Sequence, residues 1–352
     1  MTGVTEGEIG VSNLTWETVT KKNLGLEMGL FESFTLQADV FHEYRNNIFM
    51  QRQTIPTQSG LLSTPFANFG EVENQGGEVA LSYNRKFDKV SLSLYTNVTY
   101  AKNTILEHDV PIGMQGTHQD ITGHSINELY GYKAIGLYTD ADFDAKGNLL
   151  AELPQNELAT VRPGDIKLLD WNEDGIINSK DKGFVGGTND PRWVYGFGGN
   201  IAAFGFDFGF FFQGLGDTYR FIGDESAYFI PGSGQGIQGN IFTNYSDRWT
   251  PENASQDVFW PRLSYATNYN NNANSTWWKK DMSFLRLKQV ELGYTFPKSV
   301  TKKRMKDFRI YVSGENLLTF SEFKLWDPEL DTSNGLKYPS IKSLMLGLDI
   351  TF

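Results

Sequence analysis

The sharpest chemical pattern in the 352-residue sequence is Asp170-x-Asn172-x-Asp174-Gly175-x-x-Asn178-x-x-Asp181. Calcium is a hard cation that takes six to eight oxygen ligands. A twelve-residue loop can supply them from positions 1, 3, 5, 7, 9 and 12, with glycine at 6 to make the turn. Here side-chain oxygens stand at 1, 3, 5, 9 and 12, Gly175 is at 6, and the Ile176 carbonyl would serve at 7. Position 12 is Asp181 rather than the Glu of an EF-hand, as in dockerin-like loops, and no flanking helices are evident. Without an ion the same residues make a polar Asx-Gly turn. With one, the site reads as a structural Ca2+ bracing a loop that has few apolar contacts.

Other residues that could do chemistry are weaker. Gly234-Gln-Gly236-Ile-Gln-Gly239 has dinucleotide-fingerprint spacing, but it neither follows a strand nor opens a βαβ unit, so it reads as a loop. His118 and His124 lie in a long loop without the further ligands a zinc site needs, and read as solvated. Trp249, Trp260, Trp277 and Trp278 could stack on sugar rings, but packing of loops against one another is the simpler reading. No nucleophile, base and orienting group stand together, so an enzyme is not expected, nor is an organic cofactor.

Composition bounds the rest. Phe 26, Tyr 16, Trp 8 and Gly 36 favour strands and tight turns, and Cys 0 removes disulfides, thiolate zinc sites and thiol nucleophiles together. A net charge of −11 argues against nucleic acid, whose phosphates need a basic surface. There is no eighteen-residue apolar stretch, so no transmembrane helix is expected. A barrel strand needs only about 9–11 residues with one apolar face, which is compatible with a mean hydropathy of −0.38.

The elements that must position these residues alternate with period two. Leu24, Leu26, Met28 and Leu30 share one face of a segment, and Phe34, Leu36, Ala38 and Val40 one face of the next. Strands read near 24–31, 34–45, 77–87, 90–100, 193–203, 206–213, 284–296, 308–318 and 342–352. Phe206, Phe208, Phe210 and Phe212 form a stripe that a sandwich would bury against a second sheet and a barrel would turn to lipid. The gaps decide between them. Glu32-Ser33, Asp88-Lys89, Phe204-Gly205 and 297–307 are short, whereas 46–76, 101–192, 214–283 and 319–341 are long. Short turns at one rim and long loops at the other mark an outer-membrane barrel, with the long loops extracellular. The fold class expected is therefore all-β, an antiparallel up-and-down transmembrane barrel facing outer-membrane lipid. The rival fold is a soluble carbohydrate-binding β-sandwich, and for a barrel the rival to nutrient import is a passive porin or structural outer-membrane protein.

The last strand alternates Leu344, Leu346, Leu348 and Ile350 with Met345, Gly347, Asp349 and Thr351 and stops on Phe352. A terminal strand ending in Phe resembles the signal read by the outer-membrane assembly machinery. Nine strands is an odd number, and single-chain bacterial barrels have even ones. The start also lacks signal-peptide character. Further strands are therefore expected upstream of Met1, and these nine should form an open meander with free edges.

Several stretches resemble the SusC/RagA family of TonB-dependent outer-membrane transporters. They are Asn13-Leu-Thr-Trp-Glu17, Leu129-Tyr-Gly-Tyr-Lys133, Gly136-Leu-Tyr138, Pro163-Gly-Asp-Ile-Lys167 leading into the acidic loop, and Arg248-Trp-Thr-Pro251. Trp277-Trp278, the run Ser283 to Tyr294, the run Tyr311 to Phe320 and Trp326-Asp-Pro-Glu329 continue the likeness, which covers nearly the whole chain. The resemblance implies the C-terminal part of a barrel of about 22 strands filled by a plug. It further implies import of oligosaccharide or peptide, a SusD-like surface lipoprotein over the mouth, and contact with TonB through a region not contained here. Read as a barrel wall, the alternation expects Leu92, Leu94, Phe208, Phe210, Val290, Leu292, Leu346 and Leu348 to face lipid. Ser91, Ser93, Asp207, Gln289, Glu291, Asp349 and Arg309 should face the lumen.

Overall fold

A computed structural model describes residues 10–11, 13–61, 63–223, 229–231, 242–300 and 305–352. Among these, nine strands form one sheet: β1 (Thr18–Leu30), β2 (Phe34–Gln51), β3 (Phe66–Phe87), β4 (Val90–Glu107), β5 (Trp193–Ala203), β6 (Phe206–Gly216), β7 (Phe284–Thr295), β8 (Asp307–Phe320) and β9 (Ser343–Thr351). Each pairs antiparallel with its sequence neighbours, and β1 and β9 are the two edges of an unclosed sheet. The tight connections fall at one rim. At one of them Phe204 (φ 53°) and Gly205 (φ 89°) both adopt the left-handed region, the two-residue turn whose twist matches the strands it joins.

All nine segments expected from the sequence are present, but the extracellular ends of β1 to β4, β6 and β8 run further. β3 has 22 residues, about twice what a bilayer crossing requires. The upper halves of β2, β3 and β4 therefore stand above the membrane, and residues 46–51 and 66–76, expected in a loop, are strand.

The two faces differ as a barrel wall requires. Leu344, Leu346 and Leu348 are 76%, 79% and 61% exposed, and Leu24, Val40, Val79, Leu94, Phe208, Leu292 and Val312 are also exposed on the same side. Each such side chain left in water would forfeit about 1.5–3 kcal/mol relative to burial. The chain exposes 21460 Å2, against roughly 14,000 Å2 for a compact monomer of this mass. Lipid is the environment that makes this surface stable. At the short-turn rim an aromatic band continues it. Phe34 packs on Tyr83 at 4.5 Å, Phe206 on Tyr294 at 4.6 Å and Phe296 on Phe308 at 5.0 Å, as the interfacial girdle of a barrel does.

The buried apolar core lies outside the sheet, in the long connections. Tyr132, Leu137, Ile166, Ile177, Ile222, Trp260 and Trp278 form it, with Phe323 and Trp326 joining from the last long loop. The two-stranded pieces Glu128–Gly131 with Gly183–Thr188, Ala134–Leu137 with Ile166–Leu168, and Tyr219–Phe221 with Lys279–Asp281 give these loops internal order. They form a packed extracellular layer above the wall.

Candidate functional site

Register fixes which side chains share the inner face. Ser93 lies opposite Asn200, Asn200 opposite Gly209, and Gly209 opposite Glu291, so these point together, with Ser91, Asp207 and Gln289 on the same face in the adjacent rows. These residues line one shallow cavity. On the next strands Arg309 lies opposite Asp349. The inward and outward sets expected from the sequence are therefore both found.

Arg309 is the hub of the inner face. Its Nε donates to Asp207 Oδ1 at 3.0 Å, its Nη2 to Glu291 Oε1 at 2.5 Å and its Nη1 to Asp349 Oδ2 at 3.3 Å, joining β6, β7, β8 and β9. One guanidinium thus answers three carboxylates, and the cluster stays acidic. Sequence reading placed these residues inside but could not pair them, because their partners lie on other strands.

Higher on β7 a bulge at Lys288 shifts the register against both neighbours. The extra residue turns Arg286 to the row of Gln213, on the inner face, where alternation from Glu291 would not place it. Arg286 is 2% exposed and pairs with Asp327 and with Glu329, while Lys288 Nζ holds Glu329 at 2.7 Å. These pairs anchor the final loop against the wall.

The extracellular layer is braced by a second buried network. Asp165, fully buried, accepts from Arg262 Nε and Nη2, both at 3.0 Å, and from Asn271 Nδ2 at 2.9 Å, while Asn270 Nδ2 donates to the Ile166 carbonyl. Burial pushes the neighbouring Tyr138 hydroxyl up to about 12. The four loop tryptophans pack: Trp260 and Trp278 are buried, Trp249 is 8% exposed, and Trp277 lies against the same core. His118 and His124 are not solvated as expected. His118 stacks on Trp171 at 4.7 Å and its Nε2 meets the Lys180 carbonyl at 2.8 Å, and His124 stacks on Phe184 and meets Glu128 at 2.9 Å. Loop packing gave these rings partners that spacing in the sequence cannot show. The run Gly234 to Gly239 lies outside the described residues.

The acidic loop folds around its own backbone. Asp170 Oδ2 accepts from Gly175 N at 2.8 Å, Asn172 Oδ1 from Asp174 N, and Asp174 Oδ1 from Ile176 N at 3.0 Å. Asp181 is fully buried, and its oxygens accept from Trp171 N and Asn178 N, both at 2.8 Å. Asn178 Oδ1 accepts from Lys180 N, and Lys180 Nζ reaches Asp174 at 3.3 Å. Among the described residues no three His, Asp or Glu side chains converge as a metal set. One feature fits a cation: Asp170 Oδ1 is buried and has no hydrogen-bond partner. Hydrogen bonding from Asn172, together with the amide of Ile176 and the Lys180 ammonium, outweighs desolvation and holds Asp174 below the usual carboxylate range.

A meander with a lipid-facing apolar side, a polar inner side and long packed loops at one rim defines the class: a stretch of an outer-membrane β-barrel. Residues 2–317 match the family model described as TonB dependent receptor-like, beta-barrel, and the chain belongs to that family. It is 31% identical over its full length to TonB-dependent receptor P26 of Formosa agariphila and 25% identical over 99% of its length to TonB-dependent receptor P3 of the same organism. It spans 36% of the length of each. Among solved structures, it superposes on a chain of the RagAB peptide importer in its open-open state with a TM-score of 0.70 at 22% identity, covering 98% of this chain and 36% of that one. A second RagAB structure, described as a peptide transporter, gives 0.68 at 22%, covering 96% and 36%. The fold resemblance drawn from the sequence motifs stands. The protein is an outer-membrane protein of the TonB-dependent receptor family, which is not an enzyme family.

Proposed function

We propose that the whole protein imports a nutrient too large for passive porins, an oligosaccharide or a peptide, across the outer membrane with energy transmitted by TonB. The observation that carries this reading is the family match across a wall whose inner face is polar from Ser91 to Asp349 and whose long loops pack into a layer at one rim. A SusD-like surface lipoprotein is the proposed partner at that mouth. The exposed Tyr265, Tyr269, Leu336 and Tyr338 offer it contact surface above the membrane. Contact with TonB is assigned to regions outside this chain, and Phe352, exposed after β9, to recognition by the assembly machinery.

A structural calcium in the Asp170–Asp181 loop belongs to the same proposal. Asp170, whose buried Oδ1 lacks a partner, Asn172, Asp174 and the Ile176 carbonyl would hold it, with Asn178 and Asp181 completing or shaping the loop. Such an ion would neutralise adjoining carboxylates and stiffen the loop layer.

The test is uptake by a strain lacking the gene and complemented with the whole reading frame, with TonB present or deleted. Uptake of a defined peptide or oligosaccharide that depends on both supports the reading. Uptake indifferent to TonB overturns it.

A further inference from the structure

On the inner side of β1 to β4, where the strands rise past residues 125–126 and 188–192, lies a cavity of about 570 Å3, a size typical of small-ligand sites. Most of its charges are paired, although Arg192 Nε is buried and has no hydrogen-bond partner among the described residues. Lys21 Nζ meets Glu43 at 2.6 Å, Arg45 Nη1 meets Glu17 at 2.9 Å, and Arg192 Nη1 meets Asp217 at 3.1 Å. Asp190 remains. Among the described residues it makes no ion pair; its Oδ2 accepts from Asn127 Nδ2 at 3.0 Å, and no hydrogen bond reaches its Oδ1. Asn74, on β3, also lines the cavity, and among the described residues no hydrogen bond engages its side-chain amide. The aliphatic part of the lining is Val19, Ile48, Val72, Ile126 and Pro191. No aromatic ring among the lining residues offers a flat face to a sugar.

Unmatched negative charge, a free amide and aliphatic walls are together complementary to one kind of group. We propose that this cavity is a cargo subsite for a primary ammonium on an aliphatic stem, with Asp190 and Asn74 receiving the ammonium and Val19, Ile48 and Val72 covering the stem. A lysine side chain and the amino terminus of a peptide both present this chemistry. A carboxylate-bearing group would meet Asp190 as a like charge, which costs affinity and slows encounter. The inference rests on the importer reading and narrows it, because it selects amine-bearing peptides over neutral sugars.

The experiment measures binding to the purified whole protein in detergent by calorimetry, with four probes: an end-blocked alanine pentapeptide bearing one lysine, the same length of alanine peptide with a free amino terminus, an end-blocked peptide bearing one glutamate, and maltopentaose. The first two arms separate side chain from amino terminus, and binding by either supports the subsite. The glutamate peptide and the sugar should bind at least about tenfold more weakly. Asp190→Asn should weaken the amine-bearing probe about tenfold and flatten its salt dependence. Asn74→Leu, at a residue with no side-chain partner to lose, should weaken it severalfold without disturbing the fold. Equal binding of all four probes, or amine binding untouched by both variants, overturns the subsite. TonB-dependent uptake is scored separately. Uptake that needs TonB but shows no amine preference defeats the subsite alone, whereas amine binding with TonB-independent uptake defeats the importer reading alone.

Discussion

Asp109 accepts from Arg52 Nε at 2.8 Å and Nη2 at 3.1 Å, tying the extracellular ends of β4 and β2 together over the strand between them. The Asp109 carboxylate is 3% exposed, and it also accepts from the backbone N–H groups of Gln53 and Thr54 and from the Thr54 hydroxyl. Burial pushes its pKa up, but the Arg52 guanidinium and these donors outweigh burial and hold it well below the usual range. The folded-state value therefore lies below the unfolded one. The stabilisation is fully present above the ordinary carboxylate range near 4 and is lost as the pH falls through the folded value. Asp109→Ala strands a half-buried guanidinium and should cost about 3–5 kcal/mol in this corner. Protease nicking of residues 52–65 at neutral pH should rise sharply in the variant. Wild-type resistance at that loop would show that the pair braces nothing.

The outward set is tested at Leu292, which is 48% exposed on β7. Leu292→Arg should destabilise the protein refolded in lipid vesicles by about 2–4 kcal/mol if the site lies near the bilayer midplane. Gln289→Arg on the inner face of the same strand should cost far less. Equal urea midpoints for the two variants would contradict the facing assigned to β7.

Much of this wall was legible because alternation and turn lengths are local signals. Leu24 to Leu30 and Leu344 to Ile350 display their faces in sequence, and two-residue gaps mark the near rim. The upper ends of β2 and β3 were not legible. Above the membrane neither face must be apolar, so Asn46 and Asn47 on β2 and Glu71 and Glu73 on β3 interrupt the pattern while the strands run on together. The loop layer was the least legible. Asn271 and Asp165 stand 106 residues apart, and Ala134 N donates to Thr276 Oγ1 across 142. Contacts of that range leave no period, so the Asp165 network, the Asp109–Arg52 pair and the inward turn of Arg286 were all missed. Only the extra residue at Lys288 could have hinted at the last, and a bulge has no sequence mark of its own.

The terminal strand is locked by shape. Gly347 lies under the Tyr311 ring, where an added Cβ would sit 2.2 Å from Cζ, and the Arg309 guanidinium covers the same ring at 4.6 Å. The ring cannot retreat without breaking that contact. Gly347→Val should cost about 1–3 kcal/mol and lower the yield of heat-resistant folded barrel in the outer membrane. An unchanged yield and unchanged unfolding midpoint would mean that the close approach is not needed.

The acidic loop carries its own prediction. Calorimetry on the whole protein should detect calcium binding at or below millimolar concentration, lost in Asp170→Ala, with a change in the fluorescence of Trp171, which stacks on His118 beside the loop. Absence of binding at millimolar calcium would end the metal reading and leave the loop as a self-capped turn.

The central claim is that one face of these nine strands meets lipid and the other a polar lumen. Since this chain has no cysteine, single cysteines can be placed at neighbouring positions of one strand within the whole protein in its native outer membrane. The measurement is labelling at Leu292→Cys and Glu291→Cys with a membrane-soluble and a charged, water-soluble maleimide. Position 292 should react with the lipid-soluble reagent only and position 291 with the water-soluble one. Water-soluble labelling at both positions, or the reverse assignment, would contradict it.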